Sequence, residues 1–116
     1  MTSYKNLLVW QKSVKFCILV YKTTNTFPDQ ERFGLISQLR RASVSIPSNI
    51  AEGSKRSTDK DYKSFISIAH GSGAEIETQL LIAKELGYMS VATYDTLTEM
   101  LDEIMKMLGS FIKKLV

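Results

Sequence analysis

The sequence predicts an all-α fold, an antiparallel up-down-up-down four-helix bundle built as a single domain over residues 1–116. Three observations predict it. Apolar residues recur at alternating spacings of three and four over four segments, the pattern of a helix with one buried face. The connections between segments are short, so segments adjacent in sequence pack as neighbours. Only two prolines and six glycines occur among 116 residues, too few for a turn-rich β-sandwich. A hydrophobic share of 44% against 23% charged residues places the chain with globular rather than disordered proteins.

Helix 1 is expected over about Leu7 to Thr24. At 100° per residue, Leu7, Trp10, Val14, Cys17, Ile18 and Tyr21 form one broad apolar stripe, and Val9, Phe16 and Val20 form another well around the cylinder. Two stripes exceed what one bundle seam buries. Val9, Phe16 and Val20 are therefore expected either to face a second copy of the chain, giving a homo-oligomer, or to widen the core of one copy. Helix 2 follows the turn Thr26-Phe27-Pro28-Asp29 and is expected from about Gln30 to Lys55, with Ile36, Leu39, Ser43, Ile46, Ile50 and Gly53 inward. Pro47 cannot donate to the carbonyl of Ser43 and its ring clashes there, so a kink is expected, with Ser43, Ser48 or Asn49 as replacement donors. Helix 3, about Asp59 to Leu86, has its stripe at Tyr62, Ile66, Ala69, Gly73, Ile76, Leu80 and Ala83. Ser57, Thr58 and Asp59 are candidate caps at its start, and Gly87 stands where a C-terminal cap belongs. Helix 4, about Ser90 to Lys114, repeats Tyr94, Leu97, Leu101, Ile104, Leu108, Phe111 and Leu115 behind a Ser90 cap.

The net charge of +3 is unevenly spread. Residues 1–28 hold four lysines and no acid, whereas residues 57–116 hold six bases against nine acids. Lys12, Lys15 and Lys22 on helix 1, Arg40 and Arg41 on helix 2, and Lys55 and Arg56 beyond it are the candidate contacts for RNA or DNA, because phosphate binding needs only positioned cations. No aromatic platform interleaves them as single-strand binders require. The alternative is a protein-interaction scaffold whose basic face meets an acidic protein partner.

No catalytic or metal constellation is legible. The one histidine, His70, and the one cysteine, Cys17, are too few for the usual zinc site, and His70 lacks the Glu-x-x-His context of di-iron bundles. Glu75 and Glu77 lie about 200° apart on an ideal helix and do not converge as an acid–base pair. The chain is read as no enzyme, with no cofactor. A single cysteine suits a reducing compartment, the start of the chain has no signal-peptide pattern, and no apolar run reaches the ~20 residues of a membrane span. The expected location is the cytoplasm.

The segment Leu39-Arg40-Arg41-Ala42-Ser43-Val44-Ser45-Ile46-Pro47-Ser48-Asn49-Ile50-Ala51-Glu52-Gly53 resembles the hallmark of the four-helix bundle family of 23S rRNA intervening-sequence proteins. Leu8-Val9-Trp10-Gln11, Phe27-Pro28 with Glu31, and Ala69-His70-Gly71-Ser72 with Glu75 resemble that family's other segments. The resemblance implies a short bacterial protein that assembles as a ring-like homopentamer. A related branch, the accessory variability determinant of diversity-generating retroelements, binds nucleic acid through a basic surface. The family name records a gene location and not an activity. Within the signature, Ser45, Pro47, Asn49, Glu52 and Gly53 are expected to act structurally, fixing the kink and a polar contact between helices or subunits.

Overall fold

The computed structural model describes residues 3–115. A 3-10 turn at Tyr4–Asn6 leads into α1 (Leu8–Thr24), a second 3-10 turn at Asp29–Glu31 precedes α2 (Leu35–Ser54), and α3 (Asp59–Glu85) and α4 (Val91–Lys114) complete the chain. No strand occurs among the described residues. Helix α1 packs on α2 and α4, α3 packs on α2 and α4, and the broadest contact joins α2 to α3. The body measures 44 × 24 × 20 Å.

Three of the four inner faces are the expected ones. Leu97, Leu101, Ile104 and Leu108 of α4, Ile66, Ala69, Ile76, Leu80 and Ala83 of α3, and Leu39, Ile46 and Ile50 of α2 form one apolar interior. The face of α1 differs from the expectation of an inter-subunit stripe. Val9, Phe16 and Val20 are 5%, 0% and 1% exposed within a single copy, so they belong to its core and cannot form a subunit interface. Their seam is completed by Ser13 and Thr24, both buried. These hydroxyls donate back to the helix, Ser13 to the Trp10 carbonyl at 2.8 Å and Thr24 to the Val20 carbonyl at 2.8 Å. With its proton placed on the preceding turn, Ser13 behaves as a small apolar residue, while the Thr24 oxygen also accepts from Arg40 at the end of the seam Val9-Ser13-Phe16-Val20-Thr24. The other stripe is the more open one, with Ile18 51% and Tyr21 41% exposed.

Helix ends follow local chemistry. Thr58 accepts from the Asp61 amide and Ser90 from the Thr93 amide, each at 3.1 Å, capping α3 and α4. Gly87 adopts φ +80°, and the Gly87 and Tyr88 amides donate to the Lys84 and Ala83 carbonyls, a Schellman ending for α3. Helix α2 begins later than Gln30. Gly34 at φ −110°, ψ −116° interrupts the chain, and the Glu31 carboxylate accepts from the Leu35 amide at 3.1 Å. From there α2 runs through Pro47 as one helix. Its close approach to α3 depends on Gly53, where a Cβ would stand 2.8 Å from the Phe65 Cβ and 2.9 Å from the Tyr62 ring. Gly73 likewise leaves room for Met105 of α4, whereas Gly71 faces open space.

The ends of the helices are tied in a fixed arrangement. Lys55, just past α2, lies 5.7 Å from the ring of Tyr4, just before α1. Tyr62 near the start of α3 meets Phe111 near the end of α4 at 5.1 Å. At the other end, the Tyr88 hydroxyl donates to Glu31 at 2.9 Å and the Tyr88 ring packs on Phe27. That hydrogen bond to Glu31 holds the Tyr88 phenol above its ordinary range.

Candidate nucleic-acid interface and assembly surfaces

The seven candidate cations do not form one face. Arg40 is a structural residue: its guanidinium donates to Thr24 Oγ1 at 2.9 Å, the Asn25 side chain at 3.0 Å and the Tyr21 carbonyl at 3.3 Å, and stacks 4.7 Å from the Tyr21 ring. It closes the C-terminal end of α1, which has no glycine cap. Lys12 pairs with Glu103 of α4 at 2.7 Å. Arg56 pairs with Glu52 at 3.3 Å and lies over the Phe65 ring at 4.6 Å. Lys15 and Lys22 face outward from α1 and Arg41 faces the α2–α3 side, none with a partner among the described residues.

A different grouping emerges once the helix ends are placed. Lys5 before α1, Lys55 and Arg56 after α2, Lys60 and Lys63 at the start of α3, and Lys106, Lys113 and Lys114 at the end of α4 gather at one end of the bundle. Eight bases meet three acids there, Asp59, Asp61 and Glu52, and Glu52 is already paired. Asp29, Glu31, Glu85 and Asp95 mark the opposite end. An apolar groove of about 510 Å³ opens beside the basic end between Leu7, Leu8, Met107 and Phe111, with Lys106 and Lys114 on its rim. Lys55 and Arg56 are the only members of this cluster among the cations singled out by sequence. Adding charges by helix end, rather than by stretch of chain, would have found the rest.

Within the signature segment, Ser45 and Asn49 take part in a polar contact between α2 and α3. Ser45 Oγ lies 2.9 Å from Ser72 Oγ of α3, and the Asn49 amide donates to the Ser45 carbonyl at 2.8 Å and to Ser45 Oγ at 2.9 Å. The expected replacement donor for the Ser43 carbonyl is not Asn49, whose bonds go to Ser45, nor the Ser43 hydroxyl, which donates to Arg40 at 3.0 Å. Beside this contact a groove of about 410 Å³ runs between α2 and α3, lined by Gln38, Arg41 and Ser45 on one wall and Ile68, Ser72, Glu75 and Gln79 on the other. Gln79 is 8% exposed; its amide donates to Gln38 at 3.4 Å, and its carbonyl oxygen has no partner.

No catalytic arrangement is assembled around His70 or Cys17. His70 is half-buried on α3, and Cys17 is half-buried against Ser43, whose hydroxyl lies 3.5 Å from the thiol. No group of three or more His, Cys, Asp or Glu able to hold a metal ion occurs among the described residues. Among the described residues, no helix is long and apolar enough to cross a membrane.

Comparison with known proteins agrees with this architecture. A family model described as 23S rRNA-intervening sequence protein matches residues 5–110. A crystal structure of a protein of unknown function from the S23 ribosomal protein family of Bacteroides thetaiotaomicron superposes with a TM-score of 0.82 at 28% identity, over 91% of this chain and 99% of that one. No curated protein matches.

Proposed function

The chain belongs to the 23S rRNA-intervening sequence protein family, and from that premise we propose that it is a non-enzymatic, self-assembling bundle that engages nucleic acid through its basic end. The observation that carries this reading is the cluster of eight bases from four separate chain segments at one end of the molecule. Cations spread over that end meet phosphates without any base-specific geometry, which suits a backbone-directed, salt-sensitive grip. Self-assembly into a cyclic oligomer, the homopentamer that the resemblance implies, would set every basic end on the same side of the ring. Several weak grips would then act on one strand as a single avid one. A free half-buried thiol supports a reducing, cytoplasmic setting.

The basic end also admits an acidic protein partner, and salt titration separates the two readings. With labelled RNA and duplex DNA, log affinity is expected to fall linearly with log salt. Reversing Lys113 and Lys114 to Glu is expected to flatten that slope by about 0.9 for each phosphate no longer neutralised. Arg32→Glu, toward the opposite end, should leave it unchanged. No binding of either nucleic acid at low salt would refute the nucleic-acid reading and leave the protein-scaffold one.

A further inference from the structure

Helix α3 has two seams. One is the core seam already described. The other runs Ile68, Ser72, Glu75, Gln79, Ile82 and Leu86, again alternating fours and threes, on the flank that borders the α2–α3 groove. Its apolar members are uncovered in one copy, Ile68 at 53%, Ile82 at 44% and Leu86 at 54% exposure. Its polar members are Glu75, which is exposed, and Ser72 and Gln79, which lie buried at the foot of the seam. Spacing of this kind is what a helix presents to another helix.

The same molecule offers a matching helix. The outward side of α1 reads Leu8, Gln11, Lys15, Ile18 and Lys22, spaced by threes and fours, with Leu8 and Ile18 more than half exposed and no acid among them. Leu8 and Ile18 would supply apolar knobs and Lys15 and Lys22 cations for Glu75, whereas the Gln11 amide already donates to the Lys5 carbonyl at 2.9 Å. Glu75 has no ion-pair partner among the described residues, so its charge is free to answer a lysine. Arg41 lines the α2 lip of the same groove, so a lysine docking there would be favoured on the Glu75 side. Within one copy the two seams cannot meet, because α1 and α3 lie diagonally across the bundle, each flanked by α2 and α4.

We propose that the outer seam of α1 in one copy docks along the second seam of α3 in a neighbouring copy, head to tail. This rests on the self-assembly reading and gives it a surface. Because the two faces differ, every copy offers one of each, and the contact propagates until the rotation closes a ring. Val9, Phe16 and Val20 play no part in it.

The test uses the full-length chain and light scattering after size exclusion, with circular dichroism to confirm folding. Ile18→Glu breaks the α1 seam and Ile82→Glu breaks the α3 seam, and each is expected to reduce the wild-type oligomer to single chains of unchanged helicity. Should Ile82→Glu lose helicity, Ile68→Glu reads the same seam. Mixed together, the two variants retain one intact contact, the α1 seam of the Ile82 variant against the α3 seam of the Ile18 variant. A species of twice the chain mass is therefore expected from the mixture, which a symmetric face-to-face contact would not give. Variants that keep the wild-type mass, or a mixture that stays monomeric, would overturn the docking scheme while leaving self-assembly standing. A monomeric wild type would instead remove the self-assembly reading itself.

Discussion

Replacing Phe16 with alanine is expected to lower the unfolding free energy of the chain by about 3–5 kcal/mol, the usual cost of deleting a buried phenyl ring. The ring is 0% exposed inside one copy and belongs to the same apolar cluster as Ile46, Ile76 and Leu101. Its removal forfeits the transfer free energy of the ring and leaves a cavity that rigid helices refill poorly. Ile18→Ala, two residues away but half open to water, should stay within about 0.5 kcal/mol for the isolated chain. Because the proposed assembly would make stability depend on concentration, both are best measured by urea unfolding in an Ile82→Glu background. A cost for Ile18→Ala equal to or above that of Phe16→Ala would contradict this assignment of the two faces of α1.

Gly53→Val is expected to cost about 2–3 kcal/mol, at the upper end for overpacking. The added Cβ would fall 2.8 Å from the Phe65 Cβ, an atom fixed to the α3 backbone that cannot swing aside. It would also press on the Tyr62 ring, which already leans on Phe111 of α4 at 5.1 Å. Relief therefore requires α2 and α3 to separate across the most extensive contact in the molecule. The better helix propensity of valine over glycine offsets only a few tenths of a kcal/mol, on the order of 0.3–0.5. At roughly 4–8 °C per kcal/mol for a small domain, the thermal midpoint should fall by roughly 8–24 °C. A midpoint unchanged within a degree or two would mean that the helices have more room than this packing allows.

The fold is largely legible in the sequence because most of its determinants are local. Ser90, Thr58 and Gly87 announce helix ends through their own backbone chemistry, and the seams of α3 and α4 are apolar almost without interruption. Helix α1 misleads because its buried seam contains Ser13, whose hydroxyl is satisfied by its own helix, and Thr24, satisfied by its own helix and by Arg40. The start of α2 escapes apolar spacing because the break depends on the Gly34 backbone and on Glu31 capping Leu35. Surface features are less legible, since they depend on which helix ends come together. Lys55 and Lys114 are far apart in sequence, and only the bundle gathers them at one end. Arg40 illustrates the converse: by sequence a free cation beside Arg41, it is committed to the end of α1.

The core of a single chain consumes Val9, Phe16 and Val20, and the seams that remain open are those we propose further copies of the same chain cover. Light scattering on the purified full-length protein at micromolar concentration addresses this directly. One homogeneous species at an integral multiple of the 13.1 kDa chain mass is the predicted result. A stable 13.1 kDa particle throughout that concentration range would contradict it.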